Sequence, residues 1–461
     1  MKRNFVLLLL LIFVQAFAWG QPLERPAAMA PLEVHDWNGF KAQLAQAKAI
    51  GIAAISTDVW WGKVEGAGDQ RFDWSYYDKV SRAITDAGLK WVPILSFHQC
   101  GGNVGDTCDI PIPGWLWSKL GGNDPGRLKY RSEKGNESTE VIALWADDKA
   151  RNQYLEFISA FRDHFRDRAG KVEEISLSAG PSGELRYPSY NSHDHFNYPG
   201  RGYLQAYSEP AQEDFRRFVR NKYDTLERVN KAWSTRLNDW KQVRPPSNAD
   251  EFFGLKDYLN IQYGKDFTEW YNGALVNHGR FMLALAREAL GDSFPGVPLG
   301  IKIPGVHWQM SSPATPRAAE VSAGLIPTNI DINNDRTAHG YAPILDMVKQ
   351  ASTPDRPVIL HFTCLEMDND SAAPNYSLAK DLVFWVAQGA ERAGVEIMGE
   401  NALSGGVSSD HGWDNIDNAI RWSDYRGLTT LRIGDLVANN DLGFHRYQHL
   451  IEQFKPQGAQ P

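Results

Sequence analysis

Val172-Glu173-Glu174-Ile175-Ser176-Leu177-Ser178-Ala179-Gly180-Pro181-Ser182-Gly183-Glu184 is a short apolar segment, alternating in part, that stops at glycines and delivers one carboxylate into a turn. A buried strand that ends in a loop reads this way. Gly180 and Gly183 let the backbone approach a ligand closely, and Pro181 and Pro188 stiffen the turn around Glu184. For a Gly-Glu-Leu-Arg sequence taken alone, the plain alternative is a surface Glu184 paired with Arg186.

The same kind of segment recurs on both sides of this one. Residues 29–34, 51–61, 90–97, 172–179, 297–308, 358–366, 395–400 and 428–433 all read as strands, eight in total. Helical apolar spacing falls between most of them, at 37–49, 75–87, 149–168, 209–223, 266–290, 341–351, 377–393 and 413–425. Eight strands alternating with helices predict an α/β fold, a (β/α)8 TIM barrel. The runner-up is a doubly wound open sheet, but no Gly-rich phosphate-binding turn follows the first strand and no short internal repeat is present. The intervals 107–147 and 187–265 exceed ordinary barrel loops and are expected to be long loops elaborating the C-terminal mouth. The simplest division is one catalytic domain over residues 22–454, with 455–461 frayed and no additional binding domain.

Composition narrows the partners. The 461 residues, 43% hydrophobic and 23% charged, suffice for a large core, and a net charge of -8 offers no electrostatic footprint for nucleic acid or an anionic membrane. Sixteen tryptophans supply flat faces with polar edges, which suit sugar rings as well as cores. Lys2 and Arg3, the apolar run 5–14 and Ala16-Phe17-Ala18 have the layout of a secretory signal peptide over residues 1–18. That run is shorter than the roughly 20 residues a membrane span needs. The expected location is therefore secreted or periplasmic. In an oxidising compartment Cys100 and Cys108 can close a small loop, which leaves Cys364 as the odd thiol.

In a barrel, ligands bind where the strands end. Those positions are polar here: Asp58, His98, Glu184, Lys302, His307, Thr363, Glu400, Asn401 and Arg432. Each has a bland reading by itself, as a turn cap or a paired charge. Polar groups at seven strand ends in turn are harder to explain so, because burying them without partners is costly. Glu184 and Glu400 follow strands four and seven and face each other across the mouth. Glycoside hydrolysis uses such a pair: one protonated carboxyl donates to the leaving oxygen, and the other activates water or attacks the anomeric carbon. No nucleophile elbow or HExxH motif competes for the site.

Two signatures make the chain recognisable. Phe97-His98-Gln99-Cys100-Gly101-Gly102-Asn103-Val104-Gly105-Asp106 resembles the mobile-loop signature of the β-amylases, and Gly183-Glu184-Leu185-Arg186-Tyr187-Pro188-Ser189-Tyr190 resembles their acid-bearing signature. Asp58-Val59-Trp60-Trp61-Gly62, Phe362-Thr363-Cys364-Leu365-Glu366-Met367 and Gly399-Glu400-Asn401-Ala402-Leu403 match in the same order. The resemblance implies an exo-acting, inverting hydrolase that releases β-maltose from the non-reducing ends of α-1,4-glucans such as starch and maltodextrins. It implies Glu184 as general acid and Glu400 as general base. It also implies sugar-binding roles for Asp58, His98, Asp106, Lys302, His307, Thr363, Asn401, Ala402 and Arg432. Inversion requires carboxyls about 6.5–9.5 Å apart, with Glu184 desolvated and Glu400 among donors.

No cofactor is required for this chemistry. The bacterial pattern further implies a Cys100–Cys108 disulfide and a structural calcium site at Glu65, Asp69 and Glu156. Gln153 stands where a fourth carboxylate is expected, leaving an oxygen ligand with one charge fewer; a solvated acidic patch is the alternative. No starch-binding domain, which some relatives have, is expected, so soluble glucans are the expected substrates and a monomer the expected state. Two other readings stand beside this one. A glucan-binding barrel without catalysis would show a loss at Glu184, Glu400, Thr363 or the loop. A retaining glycosidase would hold its carboxyls about 5–5.5 Å apart.

Overall fold

In a computed structural model that describes residues 22–103 and 105–455, eight parallel strands close into a barrel. They are β1 (Arg25–Met29), β2 (Ala54–Trp60), β3 (Lys90–Ser96), β4 (Ile175–Leu177), β5 (Leu299–Ile303), β6 (Val358–Phe362), β7 (Glu396–Glu400) and β8 (Tyr425–Thr430). Each pairs in parallel with its sequence neighbours, and β8 returns to β1 through Arg25 opposite Gly427. The barrel is therefore wound in chain order without a crossover.

A helix follows each strand: α1 (Trp37–Ala49), α2 (Ser75–Asp86), α3 (Asp147–Phe165), α4 (Gln262–Leu290), α5 (Ala342–Ala351), α6 (Ala379–Ala393), α7 (Asp410–Trp422) and α8 (Ala438–Gln453). Asp36 caps α1 by accepting from the amides of Asn38 and Gly39. On α3, the buried residues Tyr154, Phe157, Ile158, Phe161 and Phe165 recur at helical spacing and form one face. That face meets Trp61 and Phe97, whose rings lie 6.1 and 5.6 Å from Phe157. Deleting such a buried ring costs about 3–5 kcal/mol. One continuous apolar core fills the space between the barrel wall and the helices.

Small residues line the lower barrel, where Ala27, Ala54 and Val92 pack as their own cluster. Beside them lies a buried charge: Oε1 of Glu174 is 2.8 Å from Nε2 of His361 and accepts from Ser176. Burial opposes the Glu174 carboxylate, but His361 and Ser176 hold its pKa below the usual range. Gly300 makes room for this group, since a Cβ there would lie 1.9 Å from Glu174 Oε1.

The first strand lies earlier than expected. Of the segment 29–34, only Met29 is in the strand; residues 30–34, with Pro31, form a loop, while residues 25–29 pair with β2 and β8. The Tyr447 hydroxyl fixes that edge, accepting from Ala27 N and donating to Leu428 O. The helix expected at 413–425 is displaced as well. Ser409 caps it from the amide of Gly412, and the chain is extended again at Ser423, so Tyr425 opens β8. The two long intervals leave the C-terminal ends of β3 and β4, as expected; they carry a small ribbon and further helices, including one over Glu209–Tyr223 where helical spacing is read. The segment read as a signal peptide, residues 1–18, lies outside the described residues.

Candidate active site

A cavity of about 910 Å³ opens at the C-terminal ends of the strands. It is lined by Asp58, His98, Asp106, Glu184, Lys302, His307, Thr363, Glu400, Ala402 and Arg432, ten of the eleven residues expected to act on substrate. The eleventh, Asn401, is fully buried and does not line it. Its amide donates to the carbonyls of Leu403 and Leu431 and accepts from Leu431 N, so the side chain joins the ends of β7 and β8. In this arrangement the side chain braces the turn after Glu400.

The carboxylates each have their own cation. Arg186 Nε donates to Glu184 Oε2 at 2.8 Å, and the Tyr190 hydroxyl lies 3.5 Å from the same oxygen. Lys302 Nζ donates to Glu400 Oε1 at 2.7 Å. The ion pair that competes with catalysis in a reading of the sequence therefore forms, yet Glu184 still lines the cavity. Backbone pairing sets the two sites side by side: Leu185 N donates to Lys302 O at 2.7 Å, extending the sheet past the end of β4. Burial works against the Lys302 ammonium, but Glu400, Glu184 and Asp58 raise its pKa above the usual lysine value.

Neutral donors and acceptors complete the wall. His98 Nδ1 lies 2.8 Å from Ser178 Oγ, and His307 Nδ1 lies 2.7 Å from Ser377 Oγ. Burial, with Lys302, Arg186 and Arg432 nearby, pushes the His98 pKa down to about 3; burial alone pushes His307 to about 4. Both rings are neutral across the pH range in which carboxylates work. Thr363 Oγ1 accepts from Gly305 N at 2.8 Å. Asp58 accepts from Ser96 Oγ at 3.0 Å, and Arg432 donates to Ala30 O at 3.1 Å. Both carboxylate oxygens of Glu366 accept from the amide of Ala402, which fixes the turn after Glu400.

The loop after β3 closes one side. Cys100 and Cys108 are disulfide-bonded, with Cα atoms 5.6 Å apart. Asp106 Oδ2 accepts from the amides of Gly101 and Asn103, both at 3.0 Å. Gly101 has φ +116, and a Cβ there would lie 2.8 Å from Cys108 O, so the turn needs glycine.

Around the cavity, the quoted segments also bring Tyr190 and Trp308, while Tyr198 belongs to none of them. Tyr190, Tyr198 and Trp308 form an aromatic edge, with ring centres 5.2 and 5.5 Å from Trp308. Trp308 directly follows His307, so its place was readable by adjacency. Asn191, which lines the cavity, and Glu140, which lies behind it, come from the long intervals and belong to no quoted motif.

The four residues expected to hold calcium do not fit that ion. Lys119 Nζ donates to Asp69, and it donates to Gln153 Oε1 at 3.2 Å. Gln153 Nε2 donates to Glu156, and Glu65 accepts from Trp61 Nε1 and Gln70 N. Glu65, Asp69 and Glu156 do not form a group of carboxylate oxygens within 4.8 Å of one another. An ammonium thus sits where a divalent cation needs converging oxygens.

A family model described as glycosyl hydrolase family 14 matches residues 27–459. The chain belongs to this family. A "Beta-amylase" of Cytobacillus firmus is 40% identical over 474 residues, covering 99% of this chain and 95% of that protein. A "Beta/alpha-amylase" of Paenibacillus polymyxa is also 40% identical, but this chain spans only 37% of it. The crystal structure of the catalytic domain of beta-amylase from Paenibacillus polymyxa superposes with a TM-score of 0.84 at 40% identity, covering 95% of this chain and all of that one. Within family 14 the barrel is thus shared along nearly its whole length. A more distant likeness, to a beta-galactosidase from Marinomonas ef1 at 12% identity and a TM-score of 0.57, extends to the fold alone.

Proposed function

We propose that the chain hydrolyses α-1,4-glucans from their non-reducing ends and releases β-maltose by a single inverting displacement. The observation that carries this reading is the pair of cavity-lining carboxylates at the ends of β4 and β7, each held by a separate cation. Glu184 gives its proton to the glycosidic oxygen as the bond from that oxygen to the anomeric carbon breaks. A water on the opposite face forms the new carbon–oxygen bond and passes its proton to Glu400. Lys302 aims Glu400 by its hydrogen bond to Oε1, and Thr363 lines the same cavity as a partner for the attacking water. Tyr190, Tyr198 and Trp308 offer stacking surfaces to the sugar rings.

No cofactor takes part in these steps. Lys119 supports a calcium-free protein, because its charge already neutralises Asp69. The apolar run after Lys2 and Arg3 supports export, as does the Cys100–Cys108 bridge, which suits an oxidising compartment. Among the described residues no helix is long and apolar enough to cross a membrane.

The test is the pair of variants Glu184→Gln and Glu400→Gln. Each is expected to fold, to bind maltose and to lose at least about 10²–10⁴-fold in kcat on soluble starch. Substantial activity in either would remove that residue from its role.

A further inference from the structure

Glu140 lies in the long interval before α3, is 5% exposed, and has no part in the steps above. Its Oε1 accepts from Asn103 Nδ2 at 3.0 Å and from Ser182 N at 3.1 Å. Its Oε2 accepts from Asn191 Nδ2 at 2.5 Å, and its carbonyl accepts from Gln99 N at 2.9 Å. One buried carboxylate therefore touches the glycine loop, the turn before Glu184 and the segment after it.

Asn191 carries the contact onward. Its Nδ2 also donates to Asn103 Oδ1 at 2.7 Å, while its Oδ1 accepts from Arg186 NH1 at 2.6 Å. Arg186 in turn donates to Glu184 and lies 4.0 Å over the Tyr190 ring. A continuous chain of hydrogen bonds thus runs from the loop, through Glu140 and Asn191, to the guanidinium that holds Glu184. Arg186 is buried, and two carboxylates, the partly buried Glu184 directly and the buried Glu140 through Asn191, share its single positive charge.

We propose that Glu140 is a positioning residue of the hydrolysis, which divides the charge of Arg186 with Glu184 and so keeps the general acid able to hold its proton when the loop is seated. This rests on the reading of Glu184 as the acid. The groups around Glu184 are Arg186 and Tyr190 on its own segment, Lys302 within β5 and Glu400 at the end of β7, both lining the same cavity, and His98 beyond β3, whose ring lies against Gly183. Burial pushes the Glu140 carboxyl up, while Arg186 and the donors Asn103, Ser182 and Asn191 favour its carboxylate form. Removing that charge leaves Arg186 to Glu184 alone, which favours the carboxylate form of the acid.

The test measures kcat/KM against pH on a maltooligosaccharide for the full chain, Glu140→Gln and Asn191→Ala, with thermal unfolding to establish that each variant is folded. The basic limb is expected to move to lower pH by about one unit in both variants. Asn191→Ala keeps the proposal testable if Glu140→Gln does not fold. A folded variant whose kcat or KM changes while its basic limb stays in place, or moves to higher pH, overturns the proposal and leaves Glu140 as a structural brace. The same profile on α-maltosyl fluoride, whose leaving group needs no proton, separates the two claims. If the basic limb of the unaltered protein persists with the fluoride, Glu184 is not the acid. If it vanishes there, yet fails to move in the variants on oligosaccharide, only the role of Glu140 falls.

Discussion

Lys302 Nζ lies 2.7 Å from Glu400 Oε1, so an ion pair spans from the end of β5 to the end of β7 across the mouth of β6. Both side chains are largely buried, and Lys302 also senses Glu184 and Asp58. The ammonium thus pairs with the base of the mechanism above and lies in the field of two further carboxylates, each of which has an arginine of its own nearby.

Lys302→Met is expected to lower kcat by about 10²–10³, the usual loss for a positioned charge in a water-poor site. It should also destabilise the fold by about 3–5 kcal/mol, because Glu400 is left buried and unpaired. Steady-state rates on soluble starch and urea unfolding check the two effects separately.

Calcium is expected to do nothing. A divalent site would raise the melting temperature with the logarithm of calcium concentration, whereas the Lys119 ammonium on Asp69 and Gln153 leaves no such dependence. Thermal scans with chelator and with added calcium should coincide. A melting temperature that climbs with calcium would mean that Lys119 is displaced.

Opening the Cys100–Cys108 bridge frees the loop that carries Asp106 and Asn103. Cross-linking so short a segment removes about 2–3 kcal/mol of chain entropy from the unfolded loop. The double variant Cys100→Ser with Cys108→Ser is expected to raise KM severalfold and to lower the melting temperature by a few degrees, the effect of about 2–3 kcal/mol in a chain of this size. Kinetics on maltooligosaccharides of fixed length give the KM.

Acidification tests the buried histidines. The His307 pKa is depressed to about 4, so the folded form resists a proton that the unfolded chain takes up near 6.5. Its contribution to stability is present above pH 6.5 and is lost as pH falls from there toward 4. His307→Asn should therefore lose less stability than the unaltered protein between pH 7 and 4. Urea midpoints at a series of pH values read the difference.

Much of this was legible in the sequence because barrel chemistry sits at strand ends. Glu184 and Glu400 each follow a glycine that closes an apolar segment, and the periodicity of α1 gave both of its ends. The first strand was not legible, since its alanines carry little β signal and its edge is fixed from far away by Tyr447. Asn401 looked like its neighbours, and only the carbonyls of Leu403 and Leu431 reveal it as a brace. Lys119, Glu140 and Asn191 were invisible for another reason. Each comes from a long loop whose path no local pattern dictates, and each matters through partners 34 to 88 positions away.

The most direct test of the mechanism is proton NMR of the anomeric signals during the first minutes of soluble starch digestion, before mutarotation mixes them. The account predicts β-maltose as the sole early product. Early maltose of α configuration would contradict it, because retention requires a covalent intermediate rather than a single displacement assisted by Glu184 and Glu400.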